Sequence, residues 1–281
     1  MSNEGVSWTL SGFGDEIDPD PVVQTAVLLA LGAKHIEVRS AWGTNVSGFD
    51  DETTARLRAI LMDKGLGVSA VASPIGKVDI SNPPEDEVAR LRQVIRVAQQ
   101  LDTRYIRVFS FFRGPEQTPT GIRDDVMLRM SLLAAEAERA GVVLVHENEK
   151  DIYGDTPERV LDIIESVGSS ALKVAWDSAN FVQVGVKPFD EAYDMLRPHL
   201  EYLQLKDAVM GTGEVVPSGE GDGQLLKTLT ALRDDGYAGF ASLEPHLASA
   251  HALGGFSGPT AFGEAARAFR GLTDKISVGL Q

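Results

Sequence analysis

The 281-residue chain has no cysteine. This excludes disulfides, thiolate zinc sites and cysteine nucleophiles together, so any metal must bind through oxygen or imidazole. Positive charge is also in short supply: 26 Lys and Arg stand against 41 Asp and Glu, for a net charge of -15, and the basic residues are scattered rather than gathered in a tract. Such a surface repels phosphate backbones and argues against a nucleic-acid partner. No stretch approaches the roughly 18 consecutive apolar residues of a membrane helix, which argues against a membrane partner. The opening residues Met1 to Val6 lack the basic and apolar segments of a secretory signal, so a cytoplasmic location is expected. With 43% hydrophobic and 24% charged residues the composition is that of a soluble globular protein. A small polar molecule is the leading partner class, and homo-oligomerisation is compatible with everything in the composition.

Hydrophobic periodicity alternates between strand-like and helix-like stretches along the whole chain. Strands are predicted at Ser7 to Phe13, Lys34 to Arg39, Leu66 to Ala72, Arg104 to Phe111, Val142 to Glu147, Ala171 to Asp177, Glu201 to Asp207 and Gly239 to Glu244. Helices are predicted between them at Pro19 to Leu31, Asp51 to Lys64, Pro84 to Leu101, Gly121 to Ala140, Thr156 to Val167, Pro188 to Arg197 and Gly223 to Asp235, with a last one near Pro259 to Leu272. Eight strand-helix units favour a closed (β/α)₈ TIM barrel over an open sheet, and the length fits the roughly 250 residues of such a barrel. One α/β domain over residues 1–281 is expected. Prolines 19, 84, 157, 188 and 259 fall where first helical turns should begin, and Gly32, Gly65 and Gly141 where helices should stop. Thr156 reads as an N-cap. The longer loops all follow strands, which puts them around one mouth, where they can form a lid.

Four oxygen-bearing side chains end successive predicted strands: Glu147, Asp177, Gln204 and Glu244. In a parallel barrel these ends meet at one mouth. Alternation puts Tyr202, Gln204 and Lys206 on one face, Asp177 with Ala175, and Glu244 with Ser242. Three carboxylates held together repel one another and raise each other's pKa unless a cation lies among them, so one divalent ion is expected. Oxygen donors suit Mn²⁺ or Mg²⁺ best, with Co²⁺ or Zn²⁺ as lesser fits.

The segments His146-Glu-Asn-Glu149, Trp176-Asp-Ser-Ala-Asn180, Tyr202-Leu-Gln-Leu-Lys-Asp207, Gly219-Glu-Gly-Asp-Gly223 and Leu243-Glu-Pro-His246, in this order, resemble the xylose isomerase-like TIM-barrel superfamily. That is the sugar phosphate isomerase/epimerase group, which includes D-tagatose 3-epimerase and hydroxypyruvate isomerase. The resemblance covers nearly the whole chain. It implies that Glu147, Asp177, Gln204 and Glu244 carry the metal, and that the catalytic pair Glu147 and Glu244 also moves protons. Most relatives have His where this chain has Gln204, although hydroxypyruvate isomerases look similar in carrying Gln; the epimerases tend to have His where this chain has Asn180. The implied chemistry is proton abstraction beside a carbonyl through a metal-stabilised enediolate. Return of the proton to the same carbon gives an epimer, return to the neighbouring carbon an isomer, and loss of a β-hydroxyl a dehydration.

The expected activity is therefore isomerisation or epimerisation of a ketose-like sugar or polyol. The alternatives are a lyase or dehydratase acting on an inosose-like keto-polyol or a 3-keto-glycoside, and a non-catalytic sugar-binding barrel. A related AP-endonuclease-type nuclease is disfavoured, because its multi-metal site needs more than the 5 histidines present. Lys206, His246, Asn180, Glu149, Arg39 and Lys77 are the substrate-binding candidates. Glu149 has the parity of Glu147 and rivals it as a ligand, but Glu147 ends the apolar run. Phe13, Trp42, Phe111 and Phe181 can wall the pocket. The Gly219 to Gly223 segment lacks the Lys and Ser/Thr of a P-loop, and its glycines are expected to let the loop close over the pocket. Few basic residues are assigned to the mouth, which favours an unphosphorylated substrate.

Overall fold

A computed structural model describes residues 5–247 and 257–281. Residues 1–4, part of the segment examined for a signal, lie outside it. Eight strands form the barrel: β1 Ser7–Gly12, β2 His35–Val38, β3 Gly67–Ala72, β4 Tyr105–Val108, β5 Val143–Glu147, β6 Leu172–Asp177, β7 Leu200–Leu205 and β8 Phe240–Leu243. Each pairs in parallel with the next from β2 to β8, and β8 pairs with β1. A parallel bridge between Phe13 and Glu37 joins β1 to β2 and closes the ring. The short strand Gly279–Leu280 runs beside the start of β1. The fold is thus the α/β TIM barrel expected. Among the described residues no helix is long and apolar enough to cross a membrane.

Local chemistry sets most of the helix ends. Asp20, Asp50 and Thr118 cap the helices Pro21–Ala30, Asp51–Lys64 and Pro119–Ala140 by accepting from Val22, Thr53 and Gly121 N–H groups. The first of these starts at Pro21 rather than Pro19, because Asp20 supplies the cap. Thr156 occupies the N-cap position of Pro157–Val167, yet its side chain makes no capping bond. Gly65 and Gly141 end their helices in the left-handed region. The stretch predicted as one helix from Pro188 to Arg197 is a π-helical turn, Pro188–Tyr193, continued by Asp194–Leu196 and Arg197–His199. Gln224 reaches across to accept from the N–H groups of Phe189 and Asp190 and anchors that turn, so the following helix begins at Leu225 rather than Gly223.

Inside the barrel the side chains are layered. Near the N-terminal end of the strands Tyr105, Tyr202 and Phe240 pack edge-on and tilted against one another with Val145 and Ala175. One level higher, Tyr202 Oη meets Glu37 and Ser69, and Ser69 meets Ser11, all fully buried. This packed floor leaves only the C-terminal mouth for chemistry.

Candidate functional site

Glu147 ends β5 and Asp177 ends β6, while Glu244 follows β8; all three are buried. Each offers an oxygen within 4.8 Å of the others. Gln204 pairs in register with Asp177 on one side and Ser242 on the other, so it belongs to the same inward row. Parallel strands ending at one level bring together residues that are up to 97 positions apart, from Glu147 to Glu244.

The protein itself supplies positive charge to this cluster. Lys206 Nζ lies 2.9 Å from Asp177 Oδ2 and 3.1 Å from Glu244 Oε2. Arg107, projecting inward from β4, places Nη1 3.1 Å from Glu147 Oε2 and 3.8 Å from Glu244 Oε1. Its guanidinium lies over the rings of Phe109 and Phe13, 4.7 and 5.3 Å from the centroids. Arg39 donates to Glu244 at 3.0 Å, to Asp15 at 2.8 Å and to Glu16 at 2.7 Å. Charge repulsion among the carboxylates therefore does not by itself demand a metal ion, contrary to the sequence argument.

Unused hydrogen-bonding capacity is the better test of fit. Gln204 Oε1 is buried without any partner, while Glu147 Oε2 and Asp177 Oδ2 are buried in ion-pair contact with Arg107 and Lys206 but without a hydrogen bond of good geometry. A buried oxygen without a partner is costly, and together with the carboxylate oxygens on the two strands before it, whose lone pairs are not all used, it makes a donor set that a hard divalent cation accepts. Burial pushes the Asp177 carboxyl up to about 7, with Lys206 pulling the other way. It also raises Glu147, against Arg107. Burial would raise Glu244 as well, but Lys206, then His246, Arg39 and Arg107, hold it well below the usual carboxylate range.

The remaining candidates surround this core. Asn180 spends its amide hydrogens on Glu147 Oε1, at 2.9 Å, and on the Asn148 carbonyl, at 2.8 Å, while its N–H donates to Asp177 Oδ1. It sits in a short helix, Ser178–Gln183, that periodicity did not predict. Lys77 pairs with Glu149 at 3.0 Å and lies over Phe109, so Glu149 stands beside the carboxylate cluster and is not one of its three members. His246 Nε2 is 3.5 Å from Glu16 and Nδ1 is 4.0 Å from Glu244. His146 is fully buried and faces away from the cluster toward Ser110 and Gly154; burial lowers it to about 3. Of the four aromatics named from sequence, Phe13 lines the site, whereas Trp42 stacks under Arg56, Phe111 under Arg129 and Phe181 against Trp176.

Sequence reasoning missed Arg107, Phe109, Asp15 and Glu16. Arg107 had a usable signal, since a lone cation in the apolar run Tyr105-Ile-Arg-Val-Phe109 needs a buried partner. Asp15 and Glu16 had none, because they lie in a turn beyond β1.

Two loops expected to move are strapped down. Asp207 accepts from the N–H groups of Ala208 and Gly223 on one oxygen and of Gly219 and Gly221 on the other, at 2.8–3.1 Å. The glycines are needed for this close approach: a Cβ at Gly223 or Gly221 would lie 2.5 or 2.6 Å from Asp207 Oδ1. The Gly219 to Gly223 segment is thus a backbone nest around an internal carboxylate. Asp207→Ala is expected to cost about 2–3 kcal/mol, the scale of losing charge-assisted bonds to partly buried donors. Chemical denaturation checks this, and a loss under about 0.5 kcal/mol would mean water replaces the carboxylate freely. The loop after β3 is held in the same manner, by Gly76 N–H donating to Glu87 at 2.7 Å and Phe111 N–H to the Gly76 carbonyl.

Fold and site together define an α/β barrel with a carboxylate cluster at the C-terminal mouth. Residues 26–272 match the family described as xylose isomerase-like TIM barrel, and the chain belongs to that family. A 2-epi-5-epi-valiolone 7-phosphate 2-epimerase from an Actinoplanes species is 29% identical over 180 residues, 63% of this chain. The matched part spans 64% of that relative, under two thirds of its length. A D-tagatose 3-epimerase-like protein superposes with a TM-score of 0.77 at 15% identity, over 96% of this chain and 98% of the other. A xylose isomerase-like TIM barrel protein from Mycobacterium smegmatis, solved in complex with magnesium, gives 0.70 at 18% identity over 98% and 99%.

Proposed function

We propose that the protein is a divalent-metal-dependent isomerase or epimerase acting on a ketose-like sugar or polyol. Glu147, Asp177, Gln204 and Glu244 would hold one Mn²⁺ or Mg²⁺ ion. The observation that carries this is the convergence of buried oxygens from Glu147, Asp177 and Glu244 to within 4.8 Å of one another, with the buried Gln204 Oε1 left without a partner on the same inward row. When bound, such an ion polarises a substrate carbonyl and offsets the charge of an enediolate.

The chain's own groups supply the rest. Glu147 and Glu244 lie on either side of the cluster, in environments that push their proton affinities in opposite directions before a metal binds. This is the asymmetry an acid/base pair uses, one group taking the proton from carbon and the other returning it. Lys206 and Arg107 place fixed positive charge where an oxyanion develops. Arg39, His246, Lys77, Glu149 and Asn180 are assigned to substrate hydroxyls. The four basic side chains around the cluster, Arg39, Arg107, Lys206 and Lys77, are each paired with a carboxylate. That favours a neutral substrate over a phosphorylated one, although the Actinoplanes relative is named for a 7-phosphate.

The test is NMR in D₂O with the Mg²⁺-loaded protein and a panel of ketoses, keto-glycosides and inososes, including a phosphorylated cyclitol. Deuterium is expected at the carbon beside the carbonyl, in a product otherwise of unchanged mass. Loss of water would establish the dehydratase alternative. Ligand binding with no exchange on any member would point to a sugar-binding barrel and sink the enzymatic proposal.

A further inference from the structure

A glutamine ligand has a problem that histidine and carboxylates lack: its two ends have nearly the same shape, and only one can bind a cation. If the Gln204 amide turned over, it would present two N–H donors to the metal. Something must decide its orientation. The structure shows one candidate, Glu37, which is fully buried at the end of β2 on the opposite wall of the barrel. Gln204 Nε2 donates to Glu37 Oε1 at 3.2 Å, and Tyr202 Oη donates to Glu37 Oε2 at 2.9 Å. Gln204 Oε1 is left buried without a partner. With Glu37 ionised, the reversed amide would set its oxygen against the Glu37 oxygen, losing the hydrogen bond and adding repulsion between two acceptors. The backbone of Glu37 is itself fixed, because it forms the bridge to Phe13 that closes the barrel.

We propose that Glu37 is a positioning residue: it locks the Gln204 amide with its oxygen toward the metal site and so sets divalent-cation affinity. Its premise is that Gln204 is a metal ligand. Outer partners of ligating side chains typically govern affinity by about 10–100-fold. Glu37→Gln keeps the volume and can still meet Tyr202, but it can satisfy either orientation of Gln204. Glu37→Met removes the acceptor altogether.

Isothermal titration with Mn²⁺ alone, with no substrate present, tests the proposal. The expected result is roughly tenfold weaker binding in Glu37→Gln and a loss toward 100-fold in Glu37→Met. In a Gln204→Ala background, Glu37→Gln should weaken binding no further, because there is no amide left to orient. Tyr202→Phe, which removes the other donor to Glu37, should bind nearly as the parent does; it shows that disturbing the buried network is not enough. Should Glu37→Met fail to fold, the Glu37→Gln comparison stands alone. Parental affinity in Glu37→Gln overturns the proposal, and so does an equal loss with and without Gln204. A parent protein that binds no Mn²⁺ overturns instead the metal assignment beneath it, and the two failures are distinguishable in the same titration.

Discussion

Glu244→Gln is expected to lower kcat by about 10²–10⁴-fold while the protein stays folded. The substitution keeps the shape and leaves a carbonyl oxygen for the cation, but an amide cannot take up or return a proton. The surroundings tolerate it. Arg39 keeps Asp15 and Glu16, and Lys206 keeps Asp177, so no buried cation is stranded. The measurement belongs at saturating Mn²⁺, so that weaker metal binding is not read as lost proton transfer. A native circular dichroism spectrum with more than a tenth of the parental turnover would remove Glu244 from the acid/base pair.

Lys206→Met should have the largest effect on stability. Its ammonium is buried between Asp177 and Glu244, at 2.9 and 3.1 Å. Deleting one partner of a buried ionic group costs about 3–5 kcal/mol, because the charges left behind have neither water nor a counter-ion. For domains approaching this length that corresponds to a Tm lower by roughly 10 °C without metal. Mn²⁺ should restore more of the loss than it adds to the parent, since it would supply the missing positive charge at the same carboxylates. The deficit should grow with pH. A carboxyl whose folded pKa is raised binds more protons folded than unfolded, so stability falls as pH climbs from its unfolded value through the folded one, which for Asp177 is about 7 before Lys206 is removed. Thermal melts at pH 6 and pH 8, with and without Mn²⁺, check both signs. A shift within 1–2 °C of the parent would mean the carboxylates are not ionised together.

The fold was legible because its signals are local. Alternating residues in Val143–Glu147 and Leu200–Leu205, and a proline at the start of Pro84–Gln100 and Pro157–Val167, each report on the next few positions only. Eight such units leave few ways to close a sheet. The main error of element type, at Pro188, arose where a distant amide, that of Gln224, rather than the segment itself sets the backbone. The four proposed ligands were legible for a related reason: each lies at or next to the end of a strand, and strand ends of a parallel barrel converge.

What the sequence determined by itself was therefore the barrel and the row of oxygens on its last four strands, since both follow from short-range periodicity and topology. Only the tertiary structure decided how the charges there are balanced. Arg107, Arg39 and Lys206 come from three separate strands or their ends, and their partners are fixed by distances of about 3 Å across the barrel. It also turned the glycine-rich segment from an expected lid into a collar around Asp207, and placed Glu37 against Gln204. Pairings between residues 167 positions apart, as in that last contact, leave no periodic trace in the chain, because energy at such sites depends on separation in space and on excluded water rather than on neighbours in sequence.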